Sequence, residues 1–139
     1  MENRLRSGLS EMQGQLFEMS GELGYDSEAF MKAFMTSDIA KDLDSEFDFM
    51  QWAGKEYIME RIQEELPQGC KKGGDVYSKE TLYWAGYTYR WWHFYTGESS
   101  KEIYRIANAK TMNVTYFPYH TMDTEMAIER LTESKKKYR

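Results

Sequence analysis

The sequence predicts an all-α protein, a single-domain bundle of about six helices around a central aromatic-rich helix at residues 78–96. Three observations carry that expectation. Apolar residues recur at steps of three and four through most of the chain, the spacing of one helix face. Side chains that favour helix N-caps stand just ahead of those runs. The stretch Tyr77–Thr96, YSKETLYWAGYTYRWWHFYT, holds nine aromatic residues. At about 100° per residue their rings surround nearly the whole circumference. A helix apolar all round is one its neighbours must enclose, so the other helices are expected to clasp this one.

The elements follow in order. Leu5, Leu9, Met12, Leu16, Met19 and Leu23 form a helical stripe that Gly24 ends. Gly8 and Gly14 weaken its first half, where fraying is expected. The stripe reads as core-facing. A coiled-coil homodimer seam stays open, although sustained heptads and flanking charges are missing. Asp26 or Ser27 caps a second helix carrying Phe30, Phe34 and Met35, and Ser37–Asp38 caps a short turn that buries Ile39 and Leu43. Ser45 is expected to open a third helix with Asp48 in its first turn, ended by Pro67. Its core face would be Phe47, Met50, Gly54, Tyr57, Ile58 and Ile62. Phe49, Trp52 and Met59 fall on a second face, read as a patch for a protein partner or a further helix.

Residues 68–76 read as an internal loop. Ser78 caps the central helix and Thr96–Gly97 ends it. Ser99 with Glu102 makes a capping box for a short helix burying Ile103, Tyr104 and Ile106. Over Ala109–His120, Met112, Val114 and Tyr116 alternate as in a strand, yet no partner strand is evident. Pro118 disfavours the α region at Phe117, so the segment reads as a short helix ending near Phe117. Asp123 caps the last helix, with Ala127, Ile128 and Leu131 facing inward. The domain spans 1–139, with 1–8 and 135–139 expected to fray.

Composition narrows the class. A length of 139 residues suits one domain with a real core. The mean hydropathy of −0.77 and the lack of a long apolar run argue against a transmembrane helix or membrane partner. The first residues, MENRLRSGLSEM, lack the apolar core of a secretory signal, and lone Cys70 makes no internal disulfide. A reducing, cytoplasmic location is therefore expected. The net charge of −5 hides an asymmetry: residues 1–69 carry six Lys/Arg against fifteen Asp/Glu, residues 70–139 twelve against eight. The acidic half reads as a solvated face or as the complement of a basic partner.

Chemistry finds little support. Cys70, His93 and His120 show no metal-ligand spacing, and Lys72-Gly73-Gly74 lacks the context of a phosphate loop. No catalytic residue, metal or cofactor is expected. The non-aromatic strip of the central helix carries Gly86, Arg90 and His93, one turn apart on one face. That strip is a candidate site for an anion or planar ligand. Alternatively, Arg90 pairs with an acidic residue of the N-terminal half and His93 bonds within the core. Ser99–Ala107, a turn at Asn108–Ala109 and Lys110–Phe117 outline a helix-turn-helix. There Lys101, Arg105 and Lys110 would meet phosphates, and Thr111, Asn113 and Thr115 base edges. A DNA-binding regulator is accordingly the rival reading.

The run YSKETLYWAGYTYRWWHFYTGESSKEIYRIANAKTMN, with HTMDTEMAIERL downstream, resembles a group of small uncharacterised helical proteins of gut Firmicutes. The similarity spans roughly residues 10–134 and is most distinctive over 77–107. That group is associated with short operons encoding toxin–antitoxin-like proteins. The resemblance implies a helical, cytoplasmic, non-enzymatic protein acting through a protein partner, in the manner of an antitoxin. It brings no catalytic residues with it.

Overall fold

A computed structural model describes residues 3–45, 54–66 and 72–137. Within them lie eight helices: α1 (Asn3–Glu22), α2 (Ser27–Met35), α3 (Asp38–Asp44), α4 (Lys55–Glu65), α5 (Lys79–Thr96), α6 (Ser100–Ile106), α7 (Ala109–Tyr119) and α8 (Thr124–Lys137). Among the described residues there is no strand, only an isolated antiparallel bridge between Tyr25 and Lys72. The turn that buries Ile39 and Leu43 is a helix in its own right, and the segment at 109–119 is the expected short helix rather than a strand.

Local chemistry sets most boundaries. Asp26 accepts from the Ala29 amide at 2.9 Å, and Ser37 and Ser78 accept from Ala40 and Thr81, each at 3.1 Å. Such caps satisfy amides that the first turn leaves without partners. Both halves of the Ser99–Glu102 capping box are present. Asn108 caps α7 through the Thr111 amide at 3.0 Å. Gly24 and Gly97 close their helices at φ of 84° and 80°, conformations that a Cβ would strain. Pro118 lies in the last turn of α7, where its missing N–H leaves the Val114 carbonyl without a helical partner. Val114 is 73% exposed, so water can take that bond, and the helix continues to Tyr119 rather than stopping near Phe117.

The acidic middle of the chain departs from expectation. Ser45 closes α3, its amide bonding the Asp42 carbonyl, and the residues that follow it lie outside the described ones. Gly54 caps α4, and Gly54 and Tyr57 are exposed, whereas Ile58, Met59 and Ile62 are buried. Phe47, Asp48, Phe49, Met50, Trp52, Pro67, Cys70 and Lys71 lie outside the described residues. Met59 is 3% exposed and belongs to the core rather than to a partner-facing patch. At the chain ends, α1 already begins at Asn3 and α8 runs to Lys137.

The core is an aromatic cluster supplied by several helices. Phe17 of α1 meets Phe30, Phe34 and Tyr89 edge-on, at ring separations of 5.8, 5.5 and 6.1 Å. That geometry sets positive ring edges against negative faces. Helix α5 packs against α1, α6, α7 and α8, with its most extensive contact on α1. Glycines make the α1–α5 approach possible. A Cβ on Gly86 would sit 2.5 Å from the Gln13 carbonyl oxygen, and one on Gly14 would sit 2.9 Å from the Tyr83 ring. Gly14 therefore serves close packing, rather than merely loosening α1 as its helix propensity implies.

Candidate functional site

Helix α5 has two faces with opposite properties, and their assignment inverts the expectation. The strip of Gly86, Arg90 and His93 is turned inward. Gly86 and Arg90 are buried, and His93 is nearly so. The Gln13 backbone lies against Gly86, and the Gln13 side-chain amide donates to the Gly86 carbonyl at 3.1 Å.

Arg90 is 1% exposed and spends its donors inside the protein. Its Nε donates to Gln13 Oε1 at 2.8 Å, Nη1 to Asp44 Oδ1 at 2.7 Å and Nη2 to Ser100 Oγ at 3.3 Å. Asp44 also accepts from the Ser100 amide and hydroxyl, both at 2.8 Å. Burial pulls the guanidinium below its ordinary pKa, and the Asp44 carboxylate works against that loss. His93 Nδ1 faces the Glu98 carbonyl at 2.7 Å and so carries its proton, with Asp44 3.8 Å away. An incoming anion would have to displace Asp44 from a closed network. The strip ties α1, α3, α5 and α6 together, with Arg90 paired to an acidic residue of the N-terminal half and His93 bonded within the protein, the second of the two readings of Gly86, Arg90 and His93.

The adjoining arc of α5, about 120° wide at about 100° per residue, carries rings that reach solvent. Tyr83, Trp84, Tyr87, Trp91 and Phe94 are half-buried, and Tyr95 is 42% exposed. Of the nine aromatics of 77–96, only Tyr89 and Trp92 are fully enclosed. Tyr83, Tyr87 and Trp91 stack as a ladder at helical spacing, with centroids 6.1 and 6.2 Å apart. On the other flank Trp84 meets Tyr116 of α7 edge-on at 5.9 Å, and Tyr116 stacks on His120 at 4.3 Å.

Between these flanks runs an open groove of about 680 Å³, which Glu18, Lys79, Glu80 and Thr124 also line. Lys79 and Glu18 pair across its end at 3.6 Å. His120 Nδ1 lies 2.9 and 3.0 Å from the Tyr116 and Phe117 carbonyls, so it is the donor there. Partial burial raises the Tyr83 and Tyr87 phenols, and the negative charge of Glu11 adds to both shifts.

Residues proposed for DNA contact are placed as follows. Lys101, Arg105, Lys110 and Asn113 are exposed on α6 and α7, whereas Thr111 and Thr115 are half-buried. Thr115 Oγ1 is committed to the Thr111 carbonyl at 2.8 Å. Sequence reasoning missed Tyr116, His120, Glu18 and Glu80 as groove residues. The spacing of Tyr116 and His120, one turn apart, was the available signal, obscured by Pro118 between them.

Among the described residues, no three His, Cys, Asp or Glu side chains are placed to share a metal ion. No helix among them is long and apolar enough to cross a membrane. No known protein family, curated protein or solved structure matches the chain.

Proposed function

We propose that the protein is a non-enzymatic interaction module organised around α5, and that its ring-lined groove docks a basic protein partner. The observation that carries this reading is the outward arc of rings on α5, extended by Tyr116 and His120. Clustered aromatic side chains at a surface mark contact sites, because each offers large desolvating area at little rotamer cost. The acidic N-terminal half would steer a basic partner toward that surface. The resemblance to proteins of toxin–antitoxin-like operons makes a toxin the first partner to test, with this chain acting like an antitoxin.

Affinity capture from the source cells, with partners identified by mass spectrometry, tests the reading. The wild-type chain should retain a basic protein that Trp84→Ala and Tyr87→Ser both release, while their melting curves still show a folded bundle. Undiminished capture by both variants rejects the groove. Phe49→Ala and Trp52→Ala in the same assay test the segment before α4 as an alternative surface.

A further inference from the structure

We infer that the groove takes an alkylammonium group, the ε-ammonium of a lysine presented by the basic partner; this assignment rests on the docking reading above. Aromatic faces carry the negative lobe of the ring quadrupole, so a cation held over them is stabilised. The rings here do not share one plane. Trp84 and Tyr116 stand at 76° to each other, while Tyr83 and Tyr87 lie within 26°. A compact, nearly spherical ammonium can meet faces set at such different angles. A guanidinium gains most from one parallel face and a bidentate carboxylate, and the Trp84 and Tyr116 faces are not parallel.

The polar groups agree in sign. Glu80 is exposed on the groove and, among the described residues, has no ion-pair partner, while Glu18 is shared with the one lining lysine, Lys79. The carbonyls at the C-terminal end of α7 are answered locally by His120 and Met122, so the charge of the lining is set by two carboxylates against one lysine. Two positive helix poles also approach the groove, at the starts of α5 and α8, but both are answered locally. Ser78 caps the Thr81 amide ahead of Glu80, and Asp123 accepts from the Glu125 amide. A cation is therefore the ligand that this lining favours, and an anion is disfavoured.

The test uses the full chain and three synthetic peptides of one sequence: lysine-bearing, ε-acetyl-lysine-bearing and arginine-bearing. Binding is read by tryptophan fluorescence and by the indole N–H signals in NMR. The lysine peptide should give a saturable change, the acetylated peptide none, and the arginine peptide weaker binding. Trp84→Leu and Glu80→Gln should each weaken the lysine peptide about threefold to tenfold. Glu80→Gln alters an exposed side chain and carries the test alone if Trp84→Leu does not fold. Equal binding of the acetylated or arginine peptide, or affinity unchanged by Glu80→Gln, overturns the assignment. Partner capture that still depends on Trp84 would in that case leave the docking reading standing. Lysine-selective peptide binding without any partner capture would do the reverse.

Discussion

Removing Asp44 should take away a large share of the stability of this fold. Arg90 is 1% exposed, and its Nη1 lies 2.7 Å from Asp44 Oδ1. In Asp44→Ala the guanidinium stays buried without its counter-charge, a change that costs about 3–5 kcal/mol when a buried pair is broken from one side. The Ser100 amide and hydroxyl, each 2.8 Å from the carboxylate, lose their acceptor as well, which adds about 1 kcal/mol. The Asp44 side chain is 12% exposed, so water entering the vacated space recovers part of the loss. A net cost of about 4 kcal/mol is expected, against the 5–15 kcal/mol or so that holds a typical domain together. At about 3 °C per kcal/mol the melting temperature should fall by about 12 °C. The double variant Asp44→Ala/Arg90→Met removes the charge along with its partner and should regain at least about 2 kcal/mol over the sum of the single variants. Urea melts followed by circular dichroism measure the wild type, both single variants and the double variant without adding salt. A cost below about 1 kcal/mol for Asp44→Ala, or additivity within about 0.5 kcal/mol, would refute the reasoning.

Gly86→Ala places a Cβ 2.5 Å from the Gln13 carbonyl oxygen, which is backbone and cannot swing aside. It should cost about 1–3 kcal/mol despite the better helix propensity of alanine. Gly8→Ala is the control, since nothing lies within 4 Å of its Cβ; it should stabilise α1 by about 0.5–1 kcal/mol in the same urea melts. Complete burial raises the Tyr89 phenol well above its ordinary value of 10.0, and burial also raises Tyr104 and Tyr77. Above pH 10 the unfolded chain then binds fewer protons than the native one. Stability should hold below pH 10 and fall as pH rises beyond it, by at most about 1.4 kcal/mol per pH unit for each such tyrosine. Urea midpoints between pH 8 and 11 measure this, and Tyr89→Phe should flatten the decline. For the DNA reading, gel shifts at two salt concentrations should show no salt-sensitive complex; one that Lys110→Ala abolishes would restore it.

What could be read from the chain was local. The caps at Asp26, Ser37, Ser78 and Ser99 act within three residues, so residue order alone reveals them. The fate of each α5 face depended on residues far away in sequence. Arg90 finds Asp44 across 46 positions and Gln13 across 77, and neither partner is marked by spacing. Gly14 signals a weak helix to any propensity argument, yet its missing side chain admits the Tyr83 ring. Met59 shares a helix with Ile58 and Ile62, and all three turn inward, which places the buried face of α4 differently from the one its apolar spacing suggests.

The two faces of α5 are connected through the rotational setting of the helix. Burial of apolar area alone would favour turning the ring-rich arc inward, because rings gain more from leaving water than Gly86, Thr88 or Arg90 do. Two features oppose that rotation. At Gly86 the Gln13 backbone of α1 leaves no room for a Cβ, and any other α5 residue turned there would drive a side chain into it. Arg90 holds bonds to α1, to the end of α3 and to the start of α6, and turning it outward would leave Asp44 without its counter-charge. A buried ion pair stabilises little by itself, but it can select one register over others. The inner cluster therefore holds the aromatic arc at the surface, and the groove is a consequence of the polar strip behind it.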